Sequence, residues 1–528
     1  MVKHVEKLYL GIDVGGTKIQ TSLIAESGTV FGSDRRATPR GDQAETTVAE
    51  IERAIDELLL SHGQTVHQLA AIGIAVPGVV ETETGRIIVT PNMNLTGTDL
   101  GRIMSDRYKL PVVVGNDCNL GTLGECWLGS GRNTSSCVGI FVGTGIGSGI
   151  VIGKNLVTGA GQAAGEIGHL VTRLPITDWQ AAVGLKKNKH DGKIAEVKNT
   201  GHKKADGKGN MNKSVSKTHR KIAVPPEKNE MPFFGSPVLP DRSALTQCGC
   251  GNYGCFETFA SRRAIERMIR EAVAGGLPSE IVELCGGQLD VIRSGAIAKA
   301  LKMEDYVVTE IMRYVSQAIG HTCLSVRHLL DPEVILLGGG VIEACNKFMM
   351  PIIESIIASD QLPSAPGNRR VLLSSLGDNA VVLGAVALAR AQAGRSPLHH
   401  DFTVLPKYPK LSFSAEKQLT IGSITAPGDF YLQPDGRLLP RFRKPNKDPN
   451  NFRRKEIENT CRGGVELLII GTDAAGEITL SGKCHDFLYR RGIDYRILPI
   501  PEAVKAYNTI AVRRAAIFHL ETGQQSLS

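Results

Sequence analysis

The chain has 528 residues, 42% hydrophobic and 22% charged, with 61 Lys+Arg against 53 Asp+Glu for a formal charge of +8. That apolar share excludes a wholly disordered chain, and the length predicts about three domains. No apolar run of about 18 residues or more occurs, which excludes an ordinary helical membrane span. The opening Met1-Val2-Lys3-His4 leads straight into a strand-like run with no secretory pattern, so a cytoplasmic protein is expected. Eleven cysteines then point to free thiols and a metal site rather than a disulfide framework.

Along the chain, strand and helix signals alternate. Leu8–Val14, Ala70–Val76, Val112–Val114 and Val138–Val142 read as buried strands. Val48, Ile51, Ile55, Leu58 and Leu59 fall at helical spacing, which predicts an amphipathic helix over Thr46–Ser61. Between Gly184 and Glu230 stand 13 Lys/Arg against 5 Asp/Glu, so the whole excess charge sits in one segment. Gly184–Asn229 has almost no large apolar side chains and reads as a disordered insertion. A polyanion tether is the sharper alternative, weakened by the absence of interleaved aromatics. Beyond it, Ala260–Ala274 and Glu304–Leu330 read as helices, Val334–Leu337 as a strand and Asn379–Ala393 as a closing helix. Leu398–Leu411 and Lys444–Arg454 are linker-like. A further small α/β domain, with a strand over Gly464–Gly471 and a helix near Ala503–Arg514, is expected from about residue 400 to 528. No repeat at a fixed period is visible.

Several strand ends carry chemistry. Asp13-Val14-Gly15-Gly16-Thr17-Lys18 follows a strand, where bare backbone N–H groups, Thr17 and Lys18 can reach phosphate oxygens and Asp13 can hold magnesium through water. Gly143-Thr144-Gly145-Ile146-Gly147 is a second loop of this kind, and Gly338-Gly339-Gly340 ends a third strand where a flat base or ribose can lie. Each is also compatible with a plain tight turn. Together they favour a nucleotide cleft. Asn116-Asp117 ends the Val112–Val114 strand. A carboxylate there faces the crevice and can serve as the base for phosphoryl transfer to a hydroxyl, with Asn116 binding substrate; an Asx turn is the plain alternative. Cys248, Cys250 and Cys255 crowd into eight residues, and with His169 they make a tetrahedral zinc donor set. The 78 residues between His169 and Cys248 do not forbid it, because loop closure grows only slowly with length.

In this order, Asp13–Lys18, Gly73-Ile74-Ala75-Val76-Pro77-Gly78, Asn116–Asn119, Gly143–Gly147, Glu166-Ile167-Gly168-His169 and Cys248–Glu257 closely resemble the ROK family of repressors and sugar kinases. The resemblance runs from about Tyr9 to Ala393. It implies a two-lobed actin/hexokinase-like (ribonuclease H-like) α/β fold, with lobes at 1–130 and 131–395 and the insertion at 184–230. It also implies ATP- and Mg²⁺-dependent phosphorylation of a hexose, most readily glucose. N-acetylhexosamine kinases such as N-acetylmannosamine kinase, and non-catalytic sugar-sensing regulators, are the alternatives. Carried over, Asp117 would be the base, and Gly78, Asn116, Asp117, Glu166, His169 and Glu257 would bind the sugar. Asn92 is favoured as a further sugar contact, with Asn94 kept open. Asp13, Gly15, Gly16, Thr17, Lys18, Gly143, Thr144, Gly145, Gly147, Gly338, Gly339 and Gly340 would bind ATP. His169, Cys248, Cys250 and Cys255 would hold structural zinc. A homodimer is expected. Family repressors carry an N-terminal helix-turn-helix, for which the start of the phosphate loop at Asp13 leaves no room, so nucleic-acid binding is not expected. Gly463–Thr472, Ala503–Asn508 and Ala515–His519 resemble the Mth938-like domain, which implies a compact α/β unit without a settled activity. Cys461, Cys484, His485 and His519 in it read as scattered core or surface residues.

Overall fold

A computed structural model describes residues 6–41, 43–91, 93–171, 246–362, 370–414, 418–426, 428–441, 452–473, 478 and 480–520. Asn92, the basic segment Gly184–Asn229 and most of Lys444–Arg454 lie outside the described residues.

The first sheet is built from β1 (Leu8–Val14), β2 (Lys18–Ala25), β3 (Val30–Ala37) and β4 (Leu69–Val76). β5 (Val79–Glu81) and β6 (Arg86–Val89) form a separate hairpin, and β7 (Val112–Asn116) completes the sheet in the order β3-β2-β1-β4-β7. β1 to β3 meander antiparallel, whereas β4 and β7 add parallel. Their near-continuous Leu, Ile and Val fit strands covered on both faces. α1 (Ala44–Ser61) begins two residues earlier than its periodicity predicts and buries Val48, Ile51, Ile55, Leu58 and Leu59.

The second sheet repeats this plan. β8 (Cys137–Val142), β9 (Ile146–Ile152) and β10 (Asn155–Leu156) run antiparallel; β11 (Val334–Gly338) and β12 (Arg370–Leu373) add parallel, in the order β10-β9-β8-β11-β12. The same topology is thus used twice without a sequence period, because only the pattern of buried positions is shared.

Between the sheets lies α3 (Asp117–Trp127), which follows α2 (Leu100–Tyr108) and β7. The closing helix, Ala380–Gln392, packs on α3 and on β1, β4 and β7 of the first sheet. The approach is backbone to backbone. A Cβ on Gly384 would fall on the Leu120 carbonyl, and one on Gly124 would fall on the Ala380 carbonyl. Gly11 and Gly73 in the strands beneath likewise admit Val382 and Ala385. The other side of α3 meets β8 and β9, where Thr122 fills the space that Gly139 and Gly149 leave.

The helix expected over Ala260–Ala274 is divided. Glu257–Ala260 forms one turn, then Ser261 caps Arg262–Ala274 by accepting from the Ala264 N–H at 3.3 Å. Asp305 caps Tyr306–Leu330 in the same manner.

After the closing helix, a five-stranded sheet runs in the order Leu438–Pro440, Phe430–Leu432, Arg514–His519, Leu467–Thr472, Asp494–Leu498. Helices Arg454–Thr460, Gly482–Tyr489 and Ile500–Thr509 cover its faces. The last helix stops at Thr509, short of the expected Arg514, because Arg514–His519 is drawn into the sheet beside both Leu467–Thr472 and Phe430–Leu432. This C-terminal unit is docked on the rest. Arg513 Nη1 donates to the Ser27 carbonyl at 2.8 Å, Arg132 Nη2 donates to the Gly492 carbonyl at 2.7 Å, and the Leu373 N–H donates to the Arg490 carbonyl at 2.7 Å.

Gly384→Ala drives a methyl into backbone that cannot swing away, so it should lower stability by at least about 1–3 kcal/mol. Urea unfolding checks this; an unchanged midpoint would show that the two helices can separate freely.

Candidate functional site

Asp117 opens α3 directly after β7. Asn116 caps that helix: its Oδ1 accepts from the Asn119 N–H at 3.0 Å, and its Nδ2 donates to the Gly78 carbonyl at 2.9 Å. Asn116 and Gly78, both sequence candidates for sugar contacts, are therefore engaged with each other. Gly78 adopts φ +100°, and a Cβ there would strike the Val89 carbonyl, so no other residue fits this turn. The Asp117 carboxylate accepts from the Cys118 N–H at 2.8 Å.

Burial pushes Asp117 up from the ordinary carboxylate range, and its hydrogen bond to Cys118 pulls the other way. Asp13, at the end of β1, is pushed to about 7, chiefly by burial and next by the charge of Asp117. Glu166 is also raised by burial, opposed by His169 and reinforced by Asp117 and Glu257. Asp13 and Asp117 at strand ends, Glu166 in the turn before His169 and Glu257 at a helix start thus share one electrostatic neighbourhood. Such a cluster suits a ligand rich in hydroxyl donors, or one that carries a cation.

The Asp13–Lys18 loop is a tight link between β1 and β2. The Gly15 N–H donates to the Lys18 carbonyl at 2.9 Å, and Thr38 Oγ1 donates to the Gly15 carbonyl at 2.5 Å. Neither Gly15 nor Gly16 has a positive φ, so left-handed geometry is not why glycine stands there. In the second loop, the Gly143 N–H donates to the Gly145 carbonyl at 2.9 Å, while Arg262 Nη2 donates to Thr144 Oγ1 at 2.9 Å. Gly145 leaves room for the Glu257 carboxylate, and Gly147 leaves room for the Cys118 thiol. These two glycines therefore serve close packing. At the third, Gly339 has φ +86° and lies against the Val142 backbone.

Asn94 is exposed and its amide donates to the Gly41 carbonyl, apart from this cluster. Sequence reasoning missed Asp378. It pairs with Lys18 at 3.8 Å and with Arg35 at 2.9 Å, tying the turn after β12 to the first loop. A lone aspartate in a loop has no spacing to betray it; only the packing of the closing helix brings it there.

His169, Cys248, Cys250 and Cys255 present four donor atoms within 4.8 Å of one another. Cys248 Sγ lies 3.5 Å from His169 Nδ1, and Cys250 Sγ lies 3.7 Å from Cys255 Sγ. Ligands about 2.3 Å from a tetrahedral zinc stand roughly 3.8 Å apart, so the donors fit that ion. The Gly251 and Gly254 turns, at φ +90° and +72°, fold the cysteines inward. With Nδ1 turned to the thiols, His169 Nε2 faces Glu166 at 3.8 Å. Glu257 joins the motifs: Oε1 accepts from Cys248 Sγ at 3.0 Å, and Oε2 accepts from the Ile146 N–H at 3.3 Å. None of the eleven cysteines forms a disulfide. Cys461 and Cys484 are buried in apolar core, while His485 lies against Tyr495 and His519 against Asp429.

Comparison with known proteins bears on this geometry. The profile of the ROK family matches residues 9–392. A glucokinase of Halalkalibacterium halodurans is 27% identical over 73% of this chain and 96% of its own length. The xylose repressor of Caldicellulosiruptor bescii is 25% identical over 72% of this chain and 77% of its own. The crystal structure of a ROK family glucokinase from Streptomyces griseus, in complex with glucose and AMPPNP, superposes with a TM-score of 0.52 at 27% identity, covering 73% of this chain and 99% of that one. The two repeated sheets are those of the two-lobed actin/hexokinase-like fold.

Because the folded-state value of Asp13 lies above the ordinary 3.8, its share of stability is full below 3.8 and is lost as pH rises through about 7. Carboxyl NMR of the ligand-free protein should show Asp13 titrating near 7, and Asp117→Asn should lower that value by removing the neighbouring negative charge. A value near 3.8 in the unsubstituted protein would contradict the burial argument.

Proposed function

The chain belongs to the ROK family, and on that premise we propose that it is an ATP-dependent hexose kinase, with glucose the first expected acceptor. The observation that carries this reading is the half-buried Asp117 carboxylate, set where β7 gives way to α3 and near enough to Asp13 and Glu166 for its charge to raise both. The glucokinases among its relatives support it.

In this reading the sugar lies between Asp117 and the Glu166–His169–Glu257 group, whose oxygens and Nε2 accept or donate to its hydroxyls. Asp117 takes the proton of the acceptor hydroxyl as that oxygen bonds to the γ-phosphorus. The bond from the γ-phosphorus to the β–γ bridging oxygen breaks, and ADP leaves. A carboxylate raised by burial is a stronger base at neutral pH than an exposed one. The two loops would receive the phosphates on backbone N–H groups, with Thr17 and Lys18 at the first. Magnesium, when bound near Asp13, would neutralise phosphate charge. Zinc in the His169–Cys248–Cys250–Cys255 site would fix the ring of His169 through Nδ1 and leave Nε2 to the sugar. The C-terminal unit is proposed to be an Mth938-like accessory domain.

Similarity to the xylose repressor favours a second reading, a regulator that binds sugar without phosphorylating it. One assay separates the two. ADP release is followed with ATP, magnesium and a panel of glucose, mannose and N-acetylhexosamines, for the natural chain and for Asp117→Asn. The kinase reading expects turnover with at least one sugar and a loss of about 10²-fold or more in the variant. Tight sugar binding by calorimetry, with no turnover and no ATP binding, would favour the regulator.

Metal analysis of the purified protein should find about one zinc per chain, and Cys250→Ser should abolish it. Zinc retained by that variant would place the metal elsewhere.

A further inference from the structure

A cavity of about 310 Å³ opens where the C-terminal unit meets the turn after β12. One wall is the core: Glu343 and Asn346 on the helix that starts at Gly340, and Ser374, Ser375 and Gly377. The opposite wall is the C-terminal unit, with Arg454, Arg462 and Arg491 around Phe487.

This cavity adjoins the nucleotide end of the cleft on two sides. The Ser374 N–H donates to the Leu337 carbonyl at 2.9 Å, and Ser374 Oγ would lie 2.8 Å from a Cβ on Gly338, so this wall touches the third glycine strand end. Gly377 precedes Asp378, which pairs with Lys18 of the first phosphate loop. Buried Glu125 on α3 holds the turn in place, accepting from the Ser375 and Leu376 N–H groups at 2.9 and 2.8 Å.

Arg491 is the residue out of balance. Its guanidinium lies 4.4 Å from the Phe487 ring centroid and, among the described residues, makes no side-chain hydrogen bond or salt bridge, although Glu458, Glu125 and Glu343 are near enough to favour its charge. Arg454, by contrast, is held by Glu458 at 2.6 Å. A planar fork with free donors in a partly desolvated pocket calls for acceptor atoms. Glu343 across the cavity offers the complementary acceptor.

We infer that the C-terminal unit forms the outer wall of the nucleotide site, with Arg491 donating to acceptor atoms at the base-and-ribose end of the nucleotide while Glu343 accepts from its hydroxyl or amino groups. This rests on the kinase reading above and adds that the site is incomplete without the C-terminal unit. The triphosphate end stays with the two loops.

The test uses the full chain and two ligands, ADP and inorganic tripolyphosphate, which lacks base and ribose. Both are titrated by calorimetry into the natural chain, Arg491→Ala and Arg491→Lys, and KM for hexose is measured alongside. Arg491→Ala should weaken ADP roughly tenfold, as expected for a lost charge-assisted contact, and leave tripolyphosphate and the hexose KM in place. Arg491→Lys, which keeps charge but not the fork, should fall between and guards against misfolding of the alanine variant. Equal ADP affinity in all three proteins overturns the inference alone, as does equal weakening of ADP and tripolyphosphate. A natural chain that binds neither ligand overturns the kinase reading and this inference with it.

Discussion

The contact on which the rest of the structure depends is the crossing of α3 with the closing helix Ala380–Gln392. Gly124 and Gly384 bring two backbones together where any side chain would collide with a carbonyl. On its other side α3 is pressed to β8 and β9 through Gly139, Gly147 and Gly149. One helix is therefore clamped between the two sheets. Interiors packed to this density transmit displacement rather than absorb it, so the first residue of that helix has one available position. That residue is Asp117.

The clamp also determines what surrounds Asp117. The closing helix carries the Gly377–Asp378 turn with it, and Asp378 holds Lys18 and Arg35 at the first loop. Gly145 and Glu257 are in contact across the second loop, and Glu257 reaches Cys248 of the cysteine knuckle. The result is a half-buried set of carboxylates in which the charge of Asp117 raises both Asp13 and Glu166. Folding tolerates that cost because functional sites need groups poised against their environment.

Much of the frame was legible from the amino acids alone. The apolar runs of β1, β4, β7, β8 and β11 are buried on both faces and leave no ambiguity of period. The cysteine knuckle declared itself by donor chemistry, even with 78 residues between His169 and Cys248. What stayed hidden was set by distant packing. The duplication of the sheets has no period because burial, not residue identity, is repeated. Gly145 and Gly147 read as phosphate-loop glycines, and packing adds a further reason for them: they make room for Glu257 and Cys118. Asp378 and Arg35 had no spacing to announce them. The helix expected to reach Arg514 was cut short by strand pairing that no local propensity encodes.

The central claim is that the helix clamped between the sheets presents Asp117 to an acceptor hydroxyl held by Glu166, His169 and Glu257. A crystal structure of the full chain with glucose and a non-hydrolysable ATP analogue tests it most directly. The account predicts a sugar hydroxyl about 2.6–3.2 Å from the Asp117 carboxylate, with the terminal phosphate of the analogue on the two glycine loops. A sugar bound away from Asp117, or an analogue whose phosphates avoid both loops, would contradict it.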